Sequence, residues 1–157
     1  EIHQALTSKE DLRQLITKRR EEFERVSRLV TPRILTCEGE VLMGGISRDG
    51  LPEEALVGYG VSRGTVEGIA KVVLDPTNAT VDPGEILVAP FTDPGWTPLF
   101  VNAAAVVTEI GGTLTHGAVV AREYGIPGVV GVVDATKLLK TGQKIRVDGT
   151  SGFVLPL

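Results

Sequence analysis

The sequence predicts an α/β domain built on a mixed β-sheet and preceded by one long helix. Three observations support this prediction. From residue 56 onward, short apolar runs alternate with turn residues, as expected of strands. Nineteen glycines in 157 residues indicate many tight turns. The first 30 residues instead carry apolar side chains at helical spacing among charged ones.

The N-terminal helix is predicted to run from Lys9 to Leu29. Thr7-Ser8-Lys9-Glu10 has the spacing of a capping box, and Thr31-Pro32 ends the helix because proline cannot continue its hydrogen bonds. The charged run at residues 18–22 is typical of a solvated helix face. We interpret this helix as a connector or as the remnant of a neighbouring domain.

A turn-rich segment follows, and it predicts a domain boundary within residues 44–56. We therefore divide the chain into an N-terminal helical arm and linker at 1–55 and a globular domain at 56–157. The glycine-rich part of the linker, residues 44–50, is a candidate hinge.

The pattern of the globular domain predicts short strands, short helices and a C-terminal hairpin. Strands are expected within 57–62, 64–74, 85–89, 105–108, 128–133, 144–148 and 153–155. Helices are expected from Pro98 to 102, from Gly117 to Tyr124, and from a cap at Asp134 to Leu139. Gly125 and Pro127 are the stop signals of the second helix. A turn at 149–152 closes the hairpin.

The composition argues against several classes of function. The net charge is −4 and no basic cluster lies outside the first helix, so we expect no nucleic-acid partner. No apolar run approaches the roughly 20 residues of a membrane span, so we expect no membrane partner. One cysteine, Cys37, cannot form an internal disulfide and indicates a cytoplasmic setting. Two histidines and one cysteine make a metal site unexpected.

The segment from Glu109 to Gly125 is the strongest candidate for a functional site. A predicted strand leads into Gly111-Gly112, then His116, then a predicted helix. This order exposes an imidazole beside the free backbone N–H groups of a helix N-terminus, an arrangement suited to an anion. The alternative is a core histidine that packs beside a strand-to-helix turn.

A neutral imidazole is a nucleophile toward phosphorus, and the helix dipole favours both the neutral ring and the dianionic phosphate formed by its attack. Gly111, Gly112 and Gly117 are predicted to leave room for a phosphate donor and to expose backbone amides. Thr113 and Thr115 could donate hydroxyl hydrogen bonds to phosphate, although Thr115 could equally be an N-cap.

The sequence gives less support to other catalytic motifs than to the histidine segment. Ser47, Ser62 and Ser151 lie in no nucleophile-elbow context, and the chain contains no Gly-Lys-Ser/Thr of a P-loop. Arg122 is six residues from His116, about 600° around a helix, so we expect it to point away and to form a surface ion pair or a domain contact. Trp96 is predicted to anchor its loop in the core, with Asp93 as the cap of the helix after Pro94.

The run from Gly111 to Gly131 resembles the phosphohistidine segment of PEP-utilising enzymes, which include phosphoenolpyruvate synthase and pyruvate phosphate dikinase. The loop Thr92–Pro98 is similar to the loop that precedes this segment in the synthases. The resemblance covers residues 56–157 and implies a swivelling phosphohistidine domain with a three-layer β/β/α fold. Leu114 and Gly117 make the motif more similar to that of the rifampin phosphotransferases.

The resemblance implies that His116 takes the β-phosphoryl group of ATP, with release of AMP and phosphate, and passes it to an acceptor. ATP and magnesium would lie in a separate ATP-grasp domain, so no cofactor is expected in this chain, which we expect to be inactive as a fragment. A rifamycin antibiotic is the acceptor in one interpretation. Two alternatives remain: pyruvate as acceptor in a synthase or dikinase, and a non-catalytic interaction module.

Overall fold

The computed structural model describes residues 12–29, 34–35, 37, 41–42 and 50–157. Contacts divide the chain into two compact units, Glu1–Gly45 and Ile46–Leu157. The division falls within the turn-rich segment, while the exact boundary at residues 55 and 56 stays a prediction. The predicted capping box and most of the candidate hinge lie outside the described residues.

The described part of the first unit contains one helix and one short antiparallel pair of strands. Helix α1 (Leu12–Val26) exposes Phe23 by 73%, and its charged run carries an Arg19–Glu22 ion pair at 2.6 Å. Strands β1 (Ile34–Leu35) and β2 (Val41–Leu42) pair antiparallel. The helix predicted over 9–29 is thus present from Leu12 to Val26, and residues 27–29 form a turn instead of its last part.

In the second unit, the described residues 50–157 form eight strands, three short α-helices and one 3₁₀ turn. The strands are β3 (Leu56–Val57), β4 (Tyr59–Ser62), β5 (Thr65–Val72), β6 (Ile86–Ala89), β7 (Ala105–Thr108), β8 (Gly128–Val130), β9 (Lys144–Asp148) and β10 (Phe153–Pro156). The helices are α2 (Thr97–Phe100), α3 (His116–Tyr124) and α4 (Ala135–Leu138), with the 3₁₀ turn at Pro94–Trp96 before α2.

The sheet is mixed, as the sequence predicts. Its strand order is β3-β10-β9-β5-β6-β7-β8-β4. Strands β5, β6, β7 and β8 run parallel, whereas β4 pairs antiparallel with β8 and the β3, β10, β9 side is antiparallel throughout. The crossovers β6–β7 and β7–β8 carry α2 and α3.

Two hydrophobic cores divide this unit into layers. Ile86 and Val88 of β6 belong to a core that also holds Ile145, Val147 and Val154 from the antiparallel strands. Their neighbours on the same strand, Leu87 and Ala89, belong to a second core with aromatic and helical residues, which include Trp96, Phe100 and Ala121. Because side chains alternate along a strand, β6 is buried on both faces. The parallel strands therefore lie between an antiparallel layer and a helical layer, which confirms the β/β/α architecture.

Glycines allow the C-terminal hairpin turn to pack directly against neighbouring backbone. A Cβ on Gly149 would collide with the Ser62 carbonyl oxygen, and one on Gly152 would lie 2.7 Å from the Gly58 carbonyl oxygen. Gly152 also has a φ of 76°, which favours glycine. The predicted turn at 149–152 is confirmed, with Asp148 Oδ1 accepting hydrogen bonds from the Thr150 and Ser151 N–H groups.

Helix α4 begins differently from its prediction. Asp134 precedes it but makes no side-chain capping bond, and its φ of 55° places it in the left-handed region. The Asp134 carboxylate instead pairs with Lys137 at 2.6 Å. The prediction that the Asp134 side chain caps α4 is therefore wrong.

Candidate functional site

The loop that carries the histidine begins where β7 ends. Residues Ala105–Thr108 are all buried, and the pairing with the preceding strand continues into the loop through Glu109 N–H to the Ala89 carbonyl at 3.1 Å and Ile110 N–H to the Pro90 carbonyl at 2.9 Å. The start of the loop is therefore fixed to the sheet. Glycines 111 and 112 then turn the chain towards α3.

His116 is the first residue of α3, one position before the predicted start. Thr115 occupies the N-cap position with extended backbone angles, φ −72° and ψ 159°. The first hydrogen bond within the helix joins Val119 N–H to the Thr115 carbonyl at 3.0 Å. The N–H groups of residues 116–118 thus precede the helical ladder, as at every helix N-terminus.

The His116 imidazole is half-buried between Thr97 and Phe100. Its Nε2 lies 3.4 Å from Thr97 Oγ1, and its ring meets the Phe100 ring edge-on with centroids 6.3 Å apart. Thr97 Oγ1 also donates a hydrogen bond to the Pro94 carbonyl at 2.9 Å. With the hydroxyl proton directed to Pro94, Thr97 Oγ1 can accept a hydrogen bond from Nε2 in the imidazole tautomer that carries a proton there. The loop before α2 thereby supports one face of the ring.

The three predicted glycines lie at the site in different environments. A Cβ on Gly111 would lie 3.0 Å from Val130 Cβ, and a Cβ on Gly117 would lie 2.5 Å from Thr92 Oγ1. Nothing would lie within 4 Å of a Cβ on Gly112. Gly111 and Gly117 are therefore explained by close packing, whereas Gly112 faces open space.

The threonines of the loop make contacts with its own backbone. Thr115 Oγ1 donates to the Gly112 carbonyl at 2.8 Å, so the hydroxyl holds the turn rather than capping the helix. Thr113 is exposed, and its carbonyl accepts a hydrogen bond from Arg122. Between them, Leu114 is 87% exposed beside the histidine. Their predicted contacts with phosphate stay predictions.

The loop at 92–98 adopts the structure that its sequence indicates. Asp93 Oδ1 accepts from Gly95 N–H at 2.8 Å as the N-cap of the 3₁₀ turn. Trp96 is 1% exposed and belongs to the core between the sheet and the helices. Both predictions are confirmed, and the loop is anchored at the point where it supports His116.

Among the described residues Arg122 forms no ion pair, and the alternative expectation of a contact with another domain stays a prediction. Its guanidinium donates to the Thr113 carbonyl at 2.8 Å and to the Val61 carbonyl at 3.1 Å. The helical geometry correctly predicts that it points away from the imidazole, but its partners are backbone groups of the histidine loop and of β4. These partners are distant in sequence, so no local pattern indicates them.

Glu109 is a second residue whose role the sequence does not indicate. Its Oε1 accepts from Thr136 N–H at 2.8 Å and from Thr136 Oγ1 at 2.5 Å. The carboxylate thus caps α4 from across the fold, which explains why Asp134 does not need to.

Within the part of the chain that the structure describes, no three histidine, cysteine, aspartate or glutamate side chains are grouped to hold a metal ion. No helix among the described residues has the length and apolar character needed to cross a membrane.

Comparisons with known proteins agree with this geometry. Residues 81–152 match the family described as PEP-utilising enzyme, mobile domain. The chain is 51% identical to a rifampicin phosphotransferase of Bacillus cereus over 155 residues, and 49% identical to one of Streptomyces sviceus over 154 residues. Each match covers 98% of this chain and 18% of the relative, so the chain spans about a fifth of the length of these relatives.

A solved structure has a similar fold. The aconitase X crystal structure from Thermococcus kodakaraensis matches with a TM-score of 0.51 and 27% identity, over 66% of this chain and 98% of that chain. The matched segment at 81–152 contains the histidine loop and the loop that supports it, and the relatives match nearly the whole chain. The chain therefore contains the mobile domain of the PEP-utilising enzymes.

Proposed function

We propose that this chain is the phosphocarrier domain of a dikinase-type phosphotransferase, related to the rifampicin phosphotransferases, and that His116 carries the phosphoryl group. The observation that carries this proposal is the position of His116 as the first residue of α3. The imidazole there is supported by Thr97 and Phe100, while the first helical N–H groups lie beside it.

Each part of this arrangement favours phosphate chemistry. A helix N-terminus stabilises a phosphate through its free N–H groups and its dipole. The ring is held but only half-buried, so a donor can reach it. The open space at Gly112 leaves room on the loop next to the ring. A histidine that served packing alone would not need these features together.

The proposed reaction has three steps. An imidazole nitrogen attacks the β-phosphorus of ATP, an N–P bond forms, and the bond to the α-phosphate oxygen breaks, so AMP leaves. Water then cleaves the bond to the outer phosphorus and releases inorganic phosphate. The remaining phosphoryl group passes from His116 to an acceptor oxygen, which loses its proton as the N–P bond breaks.

The partners in this proposal belong to the same longer enzyme. An ATP-grasp domain would hold ATP with magnesium, and another domain would hold the acceptor. A nucleophile on a mobile rigid body can serve two distant sites, and residues 44–50 are the proposed hinge. This chain alone would therefore be inactive, and the enzyme would work in the cytoplasm, where ATP is available.

Labelling with ATP tests the proposal directly. The full-length protein is incubated with ATP labelled at the β-phosphorus, and acid-labile, base-stable label is mapped by peptide analysis. We expect label on His116, its loss in His116→Ala, and its retention in His3→Ala, which removes the other histidine of this chain. Label that persists in His116→Ala would refute the assignment. No uptake by any variant would favour a non-catalytic module.

The acceptor is tested separately. The labelled protein is freed of nucleotide and offered either a rifamycin or pyruvate. We propose a rifamycin because the two relatives described above are named rifampicin phosphotransferases. Transfer to pyruvate alone would instead assign the domain to a phosphoenolpyruvate synthase or dikinase.

A further inference from the structure

The loop that presents His116 is held at both ends by charged side chains that bind neutral groups. At its start, Glu109 accepts two hydrogen bonds from Thr136. Near its end, Arg122 donates to the carbonyl of Thr113, three residues before the histidine. The same guanidinium reaches the Val61 carbonyl on β4 at 3.1 Å.

Few other contacts hold residues 112–115, the part of the loop next to His116, in place. Residues 113–115 are exposed, and nothing would lie within 4 Å of a Cβ on Gly112. The Thr115 hydroxyl bonds only to the backbone of Gly112, within the loop itself. A glycine pair also leaves the backbone free to adopt many conformations. Hydrogen bonds from a guanidinium are stronger than those between neutral groups, so Arg122 is the main restraint between the loop and the rest of the domain.

The hydrogen bond from Arg122 to the Thr113 carbonyl also links the two ends of one short chain segment. The chain passes from His116 to Arg122 along helix α3, and the Arg122 side chain returns to the carbonyl of Thr113, three residues before the histidine. Because an arginine presents several donors in a planar fork, it can bind two carbonyls from different segments at the same time. A lysine has one nitrogen and cannot reproduce that geometry. The fork therefore ties the loop both to its own helix and to β4.

We propose that Arg122 is a positioning residue for phosphoryl transfer: it holds the Thr113 carbonyl and so fixes the His116 imidazole against Thr97. This inference rests on the proposed function of His116. Arg122 touches neither the imidazole nor a reacting atom, and it acts through the backbone. Reactive groups that are displaced by about 1 Å can lose about two orders of magnitude in rate, so a loosened loop should slow the chemical step.

The test compares variants of the full-length enzyme under single-turnover conditions with β-labelled ATP. In Arg122→Ala, we expect the rate constant for His116 labelling to fall at least about tenfold, with the half-saturating ATP concentration unchanged within about twofold. Arg122→Lys should recover part of the rate. The matched control is Arg146→Ala, on the antiparallel layer. This variant also removes an arginine that donates two hydrogen bonds, here to Glu67 Oε1 at 2.6 and 3.0 Å. We expect its His116 to be labelled at the normal rate.

A second measurement does not need ATP. Diethylpyrocarbonate modifies unprotonated, accessible imidazoles, and mass spectrometry follows the peptide that contains His116. We expect Arg122→Ala to raise this modification rate at least about threefold, since the ring loses its fixed position, while Arg146→Ala leaves it unchanged. If Arg122→Ala does not fold, Arg122→Lys is measured in the same two ways.

The outcomes separate the two proposals. A normal labelling rate per folded molecule in Arg122→Ala, or an equal loss in Arg146→Ala, would overturn the positioning role. If the normal enzyme takes no label on His116, the proposed function fails instead. The modification rate then still decides whether Arg122 fixes the imidazole, and an unchanged rate would refute that as well.

Discussion

Thr97 Oγ1 lies 3.4 Å from Nε2 of His116 while donating a hydrogen bond to the Pro94 carbonyl at 2.9 Å. The two residues are 19 positions apart, and the loop between β6 and α2 brings them together. The position of the imidazole therefore depends on a segment that contributes no nucleophile of its own.

Removing the Thr97 hydroxyl should slow phosphorylation without unfolding the domain. Thr97→Val keeps the shape but loses the acceptor beside Nε2, and a neutral hydrogen bond contributes about 0.5–1.5 kcal/mol, or roughly two- to tenfold in rate. Single-turnover labelling of the full-length enzyme measures this effect. Thr97→Ser should retain most of the rate. Thr141→Val removes a hydroxyl that binds Val72 N–H at 3.0 Å and serves as the control. Equal rates in the two valine variants would contradict the role of Thr97.

A side chain at residue 117 should disturb the site more than the fold. In Gly117→Ala the new Cβ would lie 2.5 Å from Thr92 Oγ1, so the Thr92 side chain, or the loop that carries it and Thr97, must move. Alanine also favours the helix by up to about 1 kcal/mol, which offsets the clash in stability. We expect little change in the thermal midpoint of the chain and about tenfold slower labelling of His116 in the full-length enzyme.

The double variant Thr92→Ala, Gly117→Ala isolates this contact. Removal of Thr92 Oγ1 should restore much of the labelling rate, with a coupling of about 1 kcal/mol between the two positions. Strictly additive effects would show that Gly117 acts through something other than Thr92.

The exposed leucine beside the histidine should matter for turnover and not for stability. Leu114 is 87% exposed and lies two residues before His116, so a domain that approaches the imidazole would contact it. Leu114→Ser should change the free energy of unfolding by no more than about 0.5 kcal/mol, as is usual for a surface substitution. It should nevertheless lower the steady-state rate of phosphoryl transfer to the acceptor.

Val101→Ser is the matched control for Leu114. Val101 is 64% exposed and follows α2, so it lies in the crossover before β7 and outside the histidine loop. Equal turnover in the two serine variants would rule out a contact at Leu114.

Acid should weaken a cross-strand ion cluster on the antiparallel layer. Hydrogen bonds from Arg146, and next from Lys144, lower the pKa of Glu67 below its ordinary value of 4.5. A lowered folded-state pKa means that this contribution is fully present above about pH 4.5 and is lost as the pH falls through the folded-state pKa.

Glu67→Gln tests that pH dependence. The free energy of unfolding of the variant should depend less on pH below about 4.5 than that of the unaltered chain. Urea titrations at a series of pH values measure the difference. Glu53→Gln, on an exposed turn, should follow the unaltered curve, and a Glu67→Gln curve that also follows it would refute the contribution.

The local pattern of the sequence predicts much of the fold. Alternating apolar residues predict the strands, and Gly125 with φ 67° ends α3 where the stop signals indicate. The site segment is local as well: strand, glycine pair, histidine and helix follow one another within about 20 residues. Such features depend on the conformational preferences of neighbouring residues, which are visible in the sequence itself.

The tertiary structure decides which side chains hold this segment in place. Arg122 and Val61 are 61 positions apart, and Glu109 and Thr136 are 27 positions apart. Thr92 and Gly117 meet only because two crossovers bring their loops to one edge of the sheet. Local propensity carries no information about such contacts.

The start of helix α4 also depends on a contact between distant segments, and the local pattern predicts it wrongly. Asp134 has the residue type and position of a cap, yet Glu109 supplies the capping carboxylate from another loop. The sequence by itself determined the family, the layers and the histidine at the start of a helix. Only the tertiary structure decided that Thr97, Arg122 and Glu109 would hold that histidine loop, because hydrogen bonds between distant segments form only once the sheet has aligned them.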